Sequence, residues 1–163
     1  MRFETQEMAK FKLDEIDRNI LRILQKDGRI TNSQLSKDIG LSPAPTLERV
    51  KKLEQAGYIS SYHAVLNKDM MGIGVTTFVQ VSLKQHNKET IEKFVAAINK
   101  LDEVVECHHT TGSCDFILKV VSEDIAAYQK LMLEEITNIE TVADMQSMVI
   151  LSTFKDSKAI PVT

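Results

Sequence analysis

The chain of 163 residues has only two cysteines, Cys107 and Cys114. So sparse a pair, outside any CxxC spacing, excludes a disulfide framework or a thiol redox motif, and both are expected to be reduced thiols. There is no run of about 20 apolar residues and no long apolar stretch in the first dozen residues, so neither a membrane span nor a secretory signal is expected. The expectation is a soluble, cytoplasmic protein. No carboxylate pair or Gly-rich phosphate loop stands out, which argues against an enzyme.

What remains is an ordinary globular composition, 43% hydrophobic and 26% charged, enough for two small domains. The charge is unevenly spread. Residues through Leu66 carry 11 basic and 9 acidic groups, while the remaining 97 carry 9 and 14. Only the first part is electrostatically suited to DNA.

That part holds the most telling stretch, TNSQLSKDIGLSPAPTLERVKKLEQAG, from Thr31 to Gly57. Thr31 followed by Gln34 has capping-box spacing and opens a helix with Leu35 and Ile39 on one face. Gly40 supplies a left-handed stop, and Ser42-Pro43 restarts a second helix as N-cap and first helical position. Two helices with a hinge of about three residues form a helix-turn-helix. In the second helix Leu47, Val50 and Leu53 are expected to face inward. Ala44, Pro45, Glu48, Lys51, Lys52 and Gln55 face out, flanked by Thr46 and Arg49, and the N-terminal amides are expected to attract a phosphate. The expected DNA-contacting set is Thr31, Asn32, Ser33, Ser42, Pro43, Ala44, Thr46, Glu48, Arg49, Lys51 and Lys52. Glu48 either accepts from a cytosine amine or is neutralised by Lys52 at i+4.

Leu13 to Asp27 reads as a supporting first helix closed by Gly28, and Tyr58 to Val65 as a strand after the stop at Gly57. Beyond it the pattern alternates: strand Val75–Leu83, helix Asn87–Leu101, strands Val104–Thr110 and Phe116–Ser122, helix Glu123–Thr137, and a last strand Val142–Phe154. The order β-α-β-β-α-β is the ferredoxin-like split βαβ unit, whose sheet has one face covered by helices. The other face needs a partner, because apolar residues occur on both sides of the strands. Here Val105, Cys107 and His109 are expected on one side of their strand, and Val104, Glu106 and His108 on the other. A homodimer with stacked sheets is the simplest partner, and it gives a helix-turn-helix protein two half-sites.

The fold class expected is therefore α+β, divided into a tail at 1–12, a helix-turn-helix domain at 13–57, a strand and linker at 58–74, a ferredoxin-like domain at 75–155 and a tail at 156–163. LDEIDRNIL, LSKDIGLSPAPTLERVKKLEQAGYI, ECHHTTGSCDFILK and AYQKL together resemble the Lrp/AsnC family, the feast/famine regulators, over nearly the whole length. The resemblance implies a winged helix-turn-helix joined to a ligand-responsive (RAM) domain, in a bacterial or archaeal, nucleoid-associated transcriptional regulator. It implies double-stranded DNA as partner, and self-assembly as dimers or an octamer built as a tetramer of dimers. The effector it implies is leucine or a similar small amino acid bound between dimers, beside the turn joining the middle strands. On this chain that turn is Thr111, Gly112, Ser113, Cys114 and Asp115, with Met148 as a further lining residue. Ser113 stands where an acidic residue is common.

Three other readings compete. Cys107, His108, His109, Cys114 and Asp115 contain every ligand type of a zinc or copper site, but alternation sends His108 and His109 to opposite faces. Ferredoxin-like domains host catalysis in other proteins, yet a helix-turn-helix has no evident place in such an enzyme. A basic helix that contacts only protein is the third. No metal and no cofactor are expected.

Overall fold

The computed structural model describes residues 12–163. All but the last residue of the tail expected at 1–12 thus lies outside the described residues. Two compact units are present, one reaching to Val65 and including Lys155–Thr163, the other spanning Leu66–Phe154.

The first unit is three helices, α1 (Glu15–Leu24), α2 (Asn32–Ile39) and α3 (Pro43–Gln55). Asp14 caps α1 in a reciprocal box: its carboxylate accepts from Asp17 N at 2.8 Å, and that of Asp17 accepts from Asp14 N at 3.1 Å. Thr31 caps α2 through Gln34 N at 3.1 Å, but the Gln34 side chain turns instead to Asp38 at 2.7 Å. Gly40 ends α2 at φ 72°, a left-handed value that suits glycine. Ile20, Leu21, Leu35 and Leu53 form the core.

The buried face of α3 differs from the one expected. Thr46 is fully buried and Leu47 is 44% exposed, so the inward stripe is Thr46, Arg49, Val50 and Leu53. The spacing is still helical; the face has turned by about one residue. Thr46 tolerates burial because its hydroxyl donates to Ser42 O at 2.9 Å. The strand expected over Tyr58–Val65 does not form within the chain, since this segment finds no neighbouring strand to pair with.

The second unit is β1 (Val75–Leu83), α4 (Lys88–Ile98), β2 (Val104–His109), β3 (Phe116–Ser122), α5 (Ile125–Leu131) running into a π-helical turn at Met132–Ile136, and β4 (Val142–Val149). The sheet order is β2-β3-β1-β4, antiparallel throughout, which is the split βαβ arrangement. Phe94, Ile98, Tyr128, Leu131 and Ile136 cover one face, over Val79, Val81, Leu118 and Val120. A bulge between Val104 and Glu106 puts Val104 opposite Val120, on the helix-covered face with Cys107, rather than with Glu106 and His108. The last strand stops at Val149, well short of Phe154; Ile150 donates one more backbone bond to Thr76, and the chain then leaves the sheet.

Phe94 is fully buried and tilted against Phe116 at 4.7 Å between ring centroids. Phe94→Ala is expected to cost the second unit about 3–5 kcal/mol, read as a lower urea midpoint.

Candidate DNA-reading and effector sites

The outward face of α3 is built from its first three turns. Ser42, Pro43, Ala44, Glu48, Lys51 and Lys52 are all exposed. Ser42 makes no side-chain capping bond. Pro43 and Pro45 lack N–H groups and Thr46 N already bonds Ser42 O, so the expected phosphate-attracting amides at this end reduce to those of Ser42 and Ala44. Thr31 and Ser33 are exposed on α2. Asn32 Nδ2 donates to Pro43 O at 2.8 Å, which ties the start of α2 to the start of α3. Lys52 does not pair with Glu48, so among the described residues the Glu48 carboxylate keeps its acceptor capacity.

Two members of the expected reading set are placed otherwise. Thr46 is buried and out of reach of a base edge. Arg49 turns inward, its Nη1 at 2.7 Å from Asp17 Oδ1 and 2.8 Å from Asp14 Oδ2, with Asp17 only 1% exposed. A buried carboxylate requires a partner, and Arg49 is the cation that α3 offers it. Asp17 and Asp14 in turn raise the Arg49 pKa, and the Asp17 amide together with Arg49 holds Asp14 below its ordinary 3.8. Apolar periodicity could not locate this clamp. The spacing of Asp14 and Asp17 at the start of α1, with Arg49 beside the apolar stripe of α3, is the only sequence signal for it.

In the second unit, the turn between β2 and β3 is ordered by Asp115. Its Oδ2 accepts from Leu83 N at 2.8 Å, its Oδ1 faces His86 Nδ1 at 2.8 Å, and its N donates to Val81 O at 2.9 Å. Thr110 closes the turn through Cys114 O at 2.9 Å. Gly112 sits at φ 134°, open to glycine and strained for other residues. Thr111, Gly112 and Ser113 are exposed, Cys114 is half-buried, and the N–H groups of these four have no acceptor among the described residues. His86 was not anticipated from sequence. Met148 lies opposite Phe78, while the turn adjoins Val81 to Leu83, so within one chain they are several residues apart along β1. Among the described residues no group of three or more His, Cys, Asp or Glu could hold a metal ion, and none of their helices is long and apolar enough to cross a membrane.

A helix-turn-helix with an exposed basic helix face, joined to a ferredoxin-like unit, defines a DNA-binding transcriptional regulator with a ligand-binding domain. Comparison with known proteins agrees. The Lrp/AsnC ligand binding domain matches residues 76–160, and a winged helix-turn-helix DNA-binding domain matches residues 13–60. The leucine-responsive regulatory proteins of Escherichia coli K12 and Salmonella typhimurium are each 43% identical over 148 residues, 91% of this chain and 90% of theirs. A transcriptional regulator of Neisseria meningitidis, solved in complex with L-Met, superposes with a TM-score of 0.89 at 35% identity, over 92% of this chain and 97% of that one. E. coli AsnC does so at 0.84 and 28%, over 93% and 100%. The chain belongs to the Lrp/AsnC family of transcriptional regulators, which are not enzymes.

Removing the Asp17 carboxylate leaves Arg49 without its buried partner, and because Arg49 is 30% exposed the loss is moderated by water. Asp17→Ala is expected to destabilise the reading unit by about 1–3 kcal/mol in chemical unfolding. The lowered Asp14 pKa adds stability that is fully present above 3.8 and lost as the pH falls through the lower folded value. Asp14→Asn is expected to flatten that acid limb of an unfolding-versus-pH curve.

Proposed function

We propose that the chain reads double-stranded DNA as a homodimer or higher assembly, through the outward face of α3, and that a small amino acid modulates it. Ser42, Pro43, Ala44 and Glu48 approach the major groove, and Lys51 and Lys52 supply charge for phosphates or guanine edges. Thr31, Asn32 and Ser33 at the start of α2 flank them. Arg49 and Thr46 support α3 from behind. The open sheet face, with Phe78 and Ile117 half-buried and Met148 42% exposed, favours stacking of a second copy, which sets two reading helices on one pseudo-palindromic site. Assembly of such dimers into an octamer, as a tetramer of dimers, follows the family reading, as does a cytoplasmic, nucleoid-associated setting.

The observation that carries the effector is the run of unbonded N–H groups from Thr111 to Cys114 around Gly112. Successive free amides form a concave donor site suited to a carboxylate. Asp115 orders the turn through Leu83 and His86, and each of its oxygens keeps a lone pair with which to receive an α-ammonium as well. Further acceptors on a neighbouring copy complete the site, which fits binding between dimers and leaves Met148 a place in a pocket shared by two chains. The L-Met complex of the Neisseria regulator and the names of the leucine-responsive relatives favour leucine, methionine or a similar apolar amino acid.

A thermal-shift screen of the twenty amino acids is expected to stabilise the protein with an apolar member, and Gly112→Val to abolish that shift. A flat response to all twenty contradicts the effector. Lys51→Ala and Lys52→Ala are each expected to weaken DNA binding several-fold and to lower the slope of log affinity against log salt by about 1.

A further inference from the structure

The end of the chain is part of the DNA-binding unit. Ile160 is held at both peptide groups by one side chain: its N–H donates to Gln25 Oε1 at 2.7 Å, and Gln25 Nε2 donates to its carbonyl at 3.2 Å. Gln25 is the residue that closes α1. Two residues on, Val162 O accepts from Arg22 Nη2 at 3.2 Å, while the other Arg22 nitrogen is anchored by Glu15 at 2.7 Å and Asn19 at 2.8 Å. Pro161, between them, has no N–H to satisfy. The Val162 side chain packs on the cluster of Ile20, Leu21, Leu35 and Leu53. Ile160 itself is 72% exposed, so its backbone is what is recognised. These residues and the Tyr58–Tyr62 segment wall a groove of about 460 Å³ with Leu21 and Leu24 among its lining.

A side-chain amide that bonds both peptide groups of one residue, beside an apolar seat for the residue two further on, is the chemistry of extended-peptide recognition. We propose that the face of α1 formed by Arg22, Gln25 and the Ile20 and Leu21 cluster is a peptide-docking site whose occupant is the chain's own Ile160-Pro161-Val162, and that its occupancy supports DNA reading. Val162 completes the core on which α3 rests through Leu53, and the tail braces α1, the helix that presents Asp17 to Arg49. The chain thus enters the reading unit twice, once before the ligand-binding unit and once after β4, and the second entry ends on the helix that positions α3.

The test compares full-length protein with a chain truncated after Lys158, by hydrogen exchange and DNA titration. In the truncated chain, exchange of α1 amides is expected to be about tenfold faster and DNA affinity about fivefold weaker, with β1 and β3 unchanged. Unchanged exchange in α1, whatever the DNA affinity, overturns the docking; faster exchange with unchanged affinity overturns the link to DNA reading. If the truncated chain precipitates, Gln25→Ala decides: the Ile160 amide is expected to exchange about tenfold faster, and undiminished protection there overturns the proposal. Isotope-labelled truncated chains mixed with intact ones are expected to stay unprotected. Recovery of their protection overturns docking within one chain in favour of a tail lent by a second copy.

Discussion

The guanidinium of Arg49 lies between the carboxylates of Asp14 and Asp17, and the attitude of the reading helix follows from that ion pair. Asp17 belongs both to the capping box that starts α1 and to the interior of the three-helix unit. Its burial without a cation is costly, so α3 is held at the one rotation that brings Arg49 to it. That rotation turns Thr46 inward and Leu47 outward, and it leaves Ala44, Glu48, Lys51 and Lys52 exposed. A pair of this kind adds little net stability over an apolar contact of the same shape. Its effect here is geometric: it fixes which side chains α3 exposes.

The ligand-binding unit uses a carboxylate in the same manner. Asp115 accepts from Leu83 N and faces His86, so the turn between β2 and β3 is pinned to the end of β1 while its amides from Thr111 to Cys114 are left open. In both units a carboxylate orders the backbone around it: Asp17 with Asp14 at the start of α1, and Asp115 at the turn between β2 and β3. The free surface is then backbone N–H in one unit and short or basic side chains in the other, each suited to an anionic partner.

Much of this was legible in the sequence, because the signals concerned were local. Gly40 as a left-handed stop, the bounds of β1 at Val75 and Leu83, those of β3, and the β-α-β-β-α-β order all follow from turn chemistry and apolar alternation. The rest depends on what local signals do not carry: partners distant in sequence, a missing neighbour, or a bulge. The inward pairing of Arg49 is not legible because its acids lie more than 30 residues away, and apolar periodicity does not register a polar side chain drawn inward by buried charge. Tyr58–Val65 has strand composition but no neighbour within the chain. Val104 changes face through a bulge that no alternation rule places, and the tail is seated by Gln25 and Arg22, over 130 residues earlier.

The claim that Arg49 positions α3 rather than reading DNA is tested most directly by the salt dependence of DNA binding for Arg49→Met, which keeps the side chain's bulk and removes its charge. A positioning role predicts weaker binding with the slope of log affinity against log salt unchanged from wild type, because no phosphate contact is lost. A slope lower by about 1 shows that Arg49 had neutralised a phosphate, and contradicts the account.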